Sequence, residues 1–280
     1  MGKGTVVTVP SVTIEDKRRT ENFPVALRVL PRRYRTHLEA VYGFARTVDD
    51  LGDESIGDRL ANLEAFDADL ATIWRGGNPA SPVLARLATT VRAVGLPAEP
   101  FRRLVEANRQ DQRVTSYRTF DDLLRYCTYS ADPVGRIVLG VFGATTDERA
   151  AWSDRICTAL QLVEHWQDVA EDRRAGRVYL PAEDMRRYGV SPADLDGTST
   201  PGAVRKLVAF ETDRSATLFR EGRPLIKDLR GWARLAVAGF LAGGLATVDA
   251  LRRADYDVLA TTPRPRRTGV LRHLIAEVLR

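Results

Sequence analysis

From residue 32 onward apolar residues recur at intervals of three and four, and no stretch of useful length alternates apolar with polar. That regularity confines the chain to helices, because a buried helical face repeats every 3.6 residues and a half-buried strand every two. In "YRTHLEAVYGFARTVDDLGD" Leu38, Val41, Tyr42 and Ala45 fall on one stripe, and Leu60, Leu63, Phe66 and Leu70 repeat the spacing over 58–74. The pattern predicts further helices over 82–94, 97–111, 119–131, 134–143, 147–172, 201–221, 224–253 and 267–279. Breakers rich in Pro and Gly separate them, among them "GGNPASP", "GLPAEP", "ADPVG" and "GVSPADLDGTSTPG". The expectation is an all-α chain of about ten helices: a polar, mobile arm over 1–20, one helical domain over 21–262 and a basic, partly amphipathic tail over 263–280.

Composition narrows the class. A chain of 280 residues with 44% apolar and 28% charged residues can bury a sizeable core. The net charge of +5 is a modest basic bias, compatible with a phosphorylated ligand or anionic lipid, and no nucleic-acid-binding pattern accompanies it. Two cysteines, Cys127 and Cys157, are too few for a disulfide framework and fit a reducing cytoplasm. The start "MGKGTVVTVP" does not read as a signal peptide, and Val6 spoils a myristoylation match. No window approaches the ~18–20 apolar residues of a membrane span, "LAVAGFLAGGLA" (235–246) being the longest apolar run. The expected place is the cytoplasm, with peripheral contact at the inner face of the membrane as an option.

Two acidic clusters stand out against the helical pattern. "RTVDDLGDE" (46–54) puts four carboxylates into six residues, and "QLVEHWQDVAED" (161–172) carries a second set. Residues four apart lie within ~40° on a helix, so Asp49 and Asp53 share a face, with Arg46 and Tyr42 one and two turns earlier. In the second stretch Gln161, Glu164, Asp168, Glu171 and Asp172 occupy about a third of the circumference. Like charges at that spacing cost a helix a few tenths of a kcal/mol each, so solvated acidic surface is the plain alternative for either cluster alone. Two clusters, each following an apolar stretch, point to chemistry. Mg²⁺ takes hard oxygen ligands and is held by one or two carboxylates plus substrate phosphates. Two facing acidic helices could thus clamp a diphosphate through metal, while apolar walls keep water from a carbocation left by its departure.

The residues "YGFARTVDDLGDE" and "QLVEHWQDVAEDRRAGRVYLP", with "YCTYSADPVG" between them, resemble the squalene/phytoene synthase family over roughly 22–259. The resemblance implies a single-domain isoprenoid-synthase bundle with a central cavity, several Mg²⁺ ions and a prenyl diphosphate substrate. It makes Asp49, Asp53, Asp168 and Asp172 the metal ligands, together with Glu164, where most relatives have Asn. Arg46 and Tyr42 would face the diphosphate and the reacting carbons, Tyr126 and the "PVG" break would line the cavity, and Arg177 and Tyr179 would form a flap. Gln161 and Arg136 are further candidates for the substrate, although a surface role is as good a reading of Arg136. "ENFPVALRVLP", "SADPVGR" and "HWQDVAEDRRAGRVYLP" are most similar to bacterial hydroxysqualene synthases of a three-enzyme squalene route. Phytoene and presqualene diphosphate synthases tend to carry an arginine where this chain has Gln167, so Gln167 joins the catalytic candidates.

The implied reaction takes presqualene diphosphate and water to hydroxysqualene and diphosphate, without NADPH, with presqualene diphosphate synthase and the membrane surface as transient contacts. Condensation of farnesyl diphosphate, phytoene synthesis, or a non-catalytic assembly or lipid-binding role are the alternatives. Asn108 and Asp111, one turn apart, are weighed as neighbours of the site against a capping role, and His165 as packing.

Overall fold

A computed structural model describes residues 30–280. The arm expected over 1–20 and the motif "ENFPVALRVLP", except its last two residues, lie outside the described residues. Among those described there is no strand, only one isolated parallel bridge between Ser116 and Val178. The helices run in order α1 (Arg32–Asp53), α2 (Arg59–Ala71), α3 (Pro82–Val94), α4 (Glu99–Asp111), α5 (Phe120–Ser130), α6 (Asp132–Val141) and α7 (Asp147–Gln167). They continue as α8 (Val169–Arg174), α9 (Ala182–Arg187), a 3₁₀ turn (Pro192–Leu195), α10 (Gly202–Gly222), α11 (Pro224–Asp228), α12 (Gly231–Arg253) and α13 (Arg267–Val278).

Two apolar clusters form the interior. Leu38, Phe44, Leu63, Leu84 and Phe101 bring α1 to α4 together, and α6 joins them through Ile137. Leu123, Leu162, Trp166, Leu207, Phe219 and Leu241 join α5, α7, α10 and α12. Each such side chain, fully buried, contributes roughly 1.5–3 kcal/mol of transfer free energy, so the two clusters dominate the stability. Helix starts are fixed locally. Thr119 and Asp122 form a reciprocal capping box on α5, and Thr146 caps α7 through the Arg149 amide.

Several helices end away from their expected bounds, for physical reasons. The "ADPVG" break falls at Ala131 (φ −111°, ψ −55°), and Pro133 sits in the first turn of α6, where its missing N–H costs nothing. Gly135 lets α6 pass close over α7, because a Cβ there would collide with Ser153 and Cys157. The stretch expected as one helix over 147–172 is two, broken at Asp168 (φ −102°, ψ 19°). Leu229 and Arg230 likewise divide 224–253. By length and composition α12 could cross a membrane, contrary to the expectation from its longest apolar run, yet 67% of its most apolar window is buried inside the bundle.

One buried group makes stability depend on pH. Glu211, on α10, is fully buried against Asp184 and 3.3 Å from the Arg214 guanidinium. Burial pushes its carboxyl up to about 8; Arg214 opposes that, and the neighbouring Asp184 adds to it. The folded chain therefore keeps a proton that the unfolded chain releases near 4.5. Stability should fall as pH rises from 4.5 towards about 8 and level off above. Glu211→Gln is expected to reduce the slope of that part of the melting-temperature profile, most of all between pH 7 and 8, above the raised values of Asp49 and Asp168, and an unchanged slope there would show that Glu211 stays ionised.

Candidate active site

The first acidic cluster closes α1, and α4 fixes it in place. Asn108 donates to Asp49 (Nδ2 to Oδ1, 3.2 Å), and Gln112 donates to the Gly52 carbonyl at 2.9 Å. A Cβ on residue 52 would run into Asn108, so glycine is what lets α4 approach. Arg46 folds back along α1 to Asp50 at 2.7 Å and Glu54 at 3.5 Å. Tyr42 is buried two turns earlier.

The second cluster begins at the break. The amide of Asp168 still bonds the Glu164 carbonyl at 3.0 Å, and the Asp172 amide bonds the Asp168 carbonyl at 2.8 Å, so backbone hydrogen bonds bracket the turn. The turn sets Asp172 beside His165, with Oδ2 3.6 Å from Nδ1. Gln161 fixes the other ring nitrogen at 3.0 Å. After the turn, Val178 bonds Thr115 at 2.8 Å, and the segment 176–181 lies across the end of α4. Tyr179 stacks on His165 (ring centroids 3.6 Å apart, 14° between planes), and Arg177 reaches Asp53 (Nη2 to Oδ1, 2.7 Å). That ion pair joins the two clusters, which lie more than a hundred residues apart in sequence.

Around the junction stands a polar aromatic wall. Tyr117, Tyr126 and Tyr179 pack within 5.4–6.1 Å of one another, and Tyr126 donates to Asp111 Oδ2 at 2.8 Å. The Tyr117 hydroxyl, the other Asp111 oxygen and Asp172 Oδ2 are buried without a hydrogen bond. The enclosed space bounded by His165, Asp172, Arg177 and Tyr179 is about 10 Å³, room for one water. A larger open groove of about 470 Å³ runs beside it past Tyr117, Tyr126 and Tyr129.

The electrostatics mark a site short of cations. Burial pushes Asp49 up to about 7, with Asn108 and Arg46 opposing and Asp53 and Asp50 adding to it. Yet Asp49 is exposed to water. Burial also raises Asp168 to about 6, aided by Asp172 and Glu171, and raises Asp111 to about 6 against its Tyr126 bond. Burial works against the charge of Arg177, but its bond to Asp53 holds the guanidinium above its ordinary range.

Two candidates fall outside this junction. Arg136 forms a two-point pair with Asp154 (3.1 and 2.7 Å), beside the buried Asp132. Asp154 precedes Asp168 by fourteen residues, roughly 21 Å of helix, so Arg136 braces α6 on α7 and does not meet the acidic site. Gln167 is buried and donates to the Pro263 carbonyl, tying the segment before α13 to the helix break. That bond gives the side-chain nitrogen a structural role at the break, away from the junction of the acidic clusters. Tyr117 has no sequence signal, whereas Asp111 stood one turn from Asn108. His165 is packed, as expected, but it also touches Asp172 because the break turns that aspartate towards it.

An all-α bundle that brings two acidic segments together at a ring of tyrosines defines an isoprenoid-synthase type of protein. The chain belongs to the squalene/phytoene synthase family, whose model matches residues 16–271, and that is a family of enzymes acting on prenyl diphosphates. A hydroxysqualene synthase of Zymomonas mobilis is 39% identical over 236 residues, 80% of this chain and 77% of that one. A phytoene synthase of Mycobacterium tuberculosis is 32% identical over 245 residues, 84% of this chain and 80% of the other. The crystal structure of squalene synthase HpnC from Alicyclobacillus acidocaldarius matches with a TM-score of 0.80 and 43% identity, covering 87% of this chain and 94% of that one.

Proposed function

We propose that the chain converts presqualene diphosphate and water into hydroxysqualene and diphosphate, with Mg²⁺ and without NADPH. The observation that carries the reading is the junction of both acidic clusters at Arg177 and Asp53, beside buried tyrosines and an unpaired carboxylate oxygen. Likeness to a hydroxysqualene synthase supports the choice of reaction.

The donor set fits the metal. The carboxylates of the two clusters are hard oxygen donors, and Mg²⁺ takes one or two of these and completes its shell with water and phosphate. Asp49 and Asp53 on one side, with Asp168, Asp172 and Glu164 on the other, would hold it. When bound, Mg²⁺ neutralises the diphosphate and stabilises the charge it carries away.

The chain's own residues do the rest. As the C–O bond breaks, its electron pair leaves with diphosphate, and Arg177 and Arg46 receive that charge, with Tyr179 screening it from solvent. Tyr42 and Tyr126 offer ring faces to the C30 cation, whose cyclopropane opens. Gln161 orients His165 and through it the stacked Tyr179. Water then forms the new C–O bond and gives up a proton, and Asp111, bonded to Tyr126, is the base within reach of that wall. Arg136 and Gln167 take no part.

Purified protein incubated with presqualene diphosphate and Mg²⁺ in H₂¹⁸O, with no nicotinamide, should yield an alcohol carrying the label. Squalene formed only on adding NADPH, or condensation of farnesyl diphosphate that stops at presqualene diphosphate, would overturn the choice of reaction. A phytoene product from the C20 diphosphate would favour the reading to which the mycobacterial likeness points. EDTA should abolish turnover and Mg²⁺ restore it. Mg²⁺ with inorganic diphosphate should also raise the melting temperature, by the equivalent of about 2.7 kcal/mol at a hundred times its dissociation constant.

A further inference from the structure

Half of the exposed large apolar side chains gather at one place. Eight stand out among the described residues, and four of them, Leu271, Ile275, Val278 and Leu279, lie within nine positions on or just after α13. Leu271 is 57% exposed, Ile275 49% and Leu279 81%. Their spacing of four, three and one puts them on one side of the helix. A fifth, Trp232, stands in the first turn of α12, and Arg234, two residues on, donates to the Val278 carbonyl at 3.0 Å, which ties the start of α12 to the end of α13.

The opposite face of α13 is polar and fixed. Glu277 is buried and forms a two-point pair with Arg223, and His273 meets Asp249 at 2.8 Å. The helix thus turns Glu277 and His273 inward and Leu271, Ile275 and Val278 outward, with Leu274 alone of its leucines packed on the core, a polar inner side unlike that of an ordinary surface helix. Ion pairs on the inner side hold that rotation.

Charge flanks the apolar stripe. Arg230, Arg264, Arg266 and Arg267 are all exposed, and Arg230, Arg266 and Arg267 form no ion pair among the described residues. Arg267 sits in the first turn of α13, where a cation opposes the helix dipole and gains nothing from its own helix. Apolar side chains rimmed by unpaired arginines match an interface of acyl chains beneath anionic head groups.

We infer that α13, with Trp232, seats the protein on the surface of a bilayer containing anionic lipid. The seat adjoins the site: Pro263 receives the amide of Gln167, and the charge of Arg264 acts on Asp168. A protein so docked holds its second acidic cluster next to the bilayer in which a C30 prenyl diphosphate dissolves, a consequence that rests on the proposed function.

The test uses the full chain and vesicles of phosphatidylcholine, alone or mixed with phosphatidylglycerol. The protein should cosediment with the mixed vesicles, and high salt should weaken this. Leu271→Glu with Ile275→Glu should lower the bound fraction about tenfold. Arg266→Ser with Arg267→Ser should lower it by a similar factor at low salt and little at high salt. Melting temperatures should not change, because the substituted side chains face water. Failure of the wild-type chain to bind mixed vesicles would overturn the proposal. So would equal binding by the double glutamate variant, or self-association through this face that the variant abolishes while vesicle binding persists. Vesicle binding needs no substrate, so it stands apart from the reaction. Turnover of vesicle-borne substrate should fall in the glutamate variant while turnover in detergent holds.

Discussion

Asp49→Asn and Asp168→Asn are each expected to cut turnover of the prenyl diphosphate substrate by about a hundredfold or more, and to leave the melting temperature unchanged or higher. The loss follows from the charge each carboxylate supplies. Several kcal/mol of transition-state stabilisation ride on neutralising a departing diphosphate, and every 1.36 kcal/mol is tenfold in rate. The stability side follows from the pKa directions. Burial and like charges raise Asp49 to about 7 and Asp168 to about 6, so the fold disfavours their ionised forms. Between the unfolded value near 3.8 and those raised values the folded chain binds more protons, so stability falls with rising pH, and a neutral amide removes the cost. Asn108 and Arg46 offset part of it at Asp49, and water reaches that side chain, so the gain there is small. The discriminating measurement pairs initial rates with thermal melts at pH 8. A variant that melts earlier has lost structure; one with wild-type rates shows that its carboxylate is surface charge.

The helical class and most helix bounds could be read in advance because burial imposes a period that composition cannot hide. Pro82–Val94 falls where its periodicity and flanking breakers put it. The failures lie where tertiary contacts override local pattern. Nothing in "HWQDVAEDRR" breaks a helix, since it holds neither Pro nor Gly, yet Asp168 leaves helical geometry. There the buried Gln167 amide is drawn to Pro263, nearly a hundred residues later. The short helix Ala182–Arg187 was hidden because six residues do not complete two turns of periodicity. Both acidic clusters were legible from charge at four-residue spacing. That they would face one another was expected; the direct link through Arg177 to Asp53 was not, because nothing in the spacing of "GRVYLP" says which carboxylate its guanidinium reaches. Tyr117 was illegible for a simpler reason: an isolated tyrosine in a connecting segment carries no period, and only the chain's return at Val178 makes it part of a wall.

Replacing Arg177 with glutamine should lower kcat/KM about a hundredfold, a loss like that of the acidic variants reached from the other sign of charge. Arg177 is the basic side chain that crosses between the clusters, and it stands among Asp53, Asp111 and Asp172. Without it those carboxylates face one another uncompensated, and an incoming diphosphate loses a charge-assisted donor, a bond roughly twice as strong as a neutral one. The pair with Asp53 is half open to water, so its own contribution to stability is about 1 kcal/mol or less. The variant should therefore fold and melt close to the wild type. A double-mutant cycle separates the two parts. If Arg177 acts only by holding Asp53, then Arg177→Gln in an Asp53→Asn background costs nothing further. If it also receives the leaving group, the double variant is slower than either single one, and added Mg²⁺ does not rescue it. Arg177→Lys sharpens the outcome: a point charge preserves attraction for diphosphate but not the two-point geometry of guanidinium, so it should recover only part of the rate. Wild-type kcat/KM in Arg177→Gln would mean that the link between the clusters is scaffolding, and that the diphosphate is held by Arg46 and metal alone.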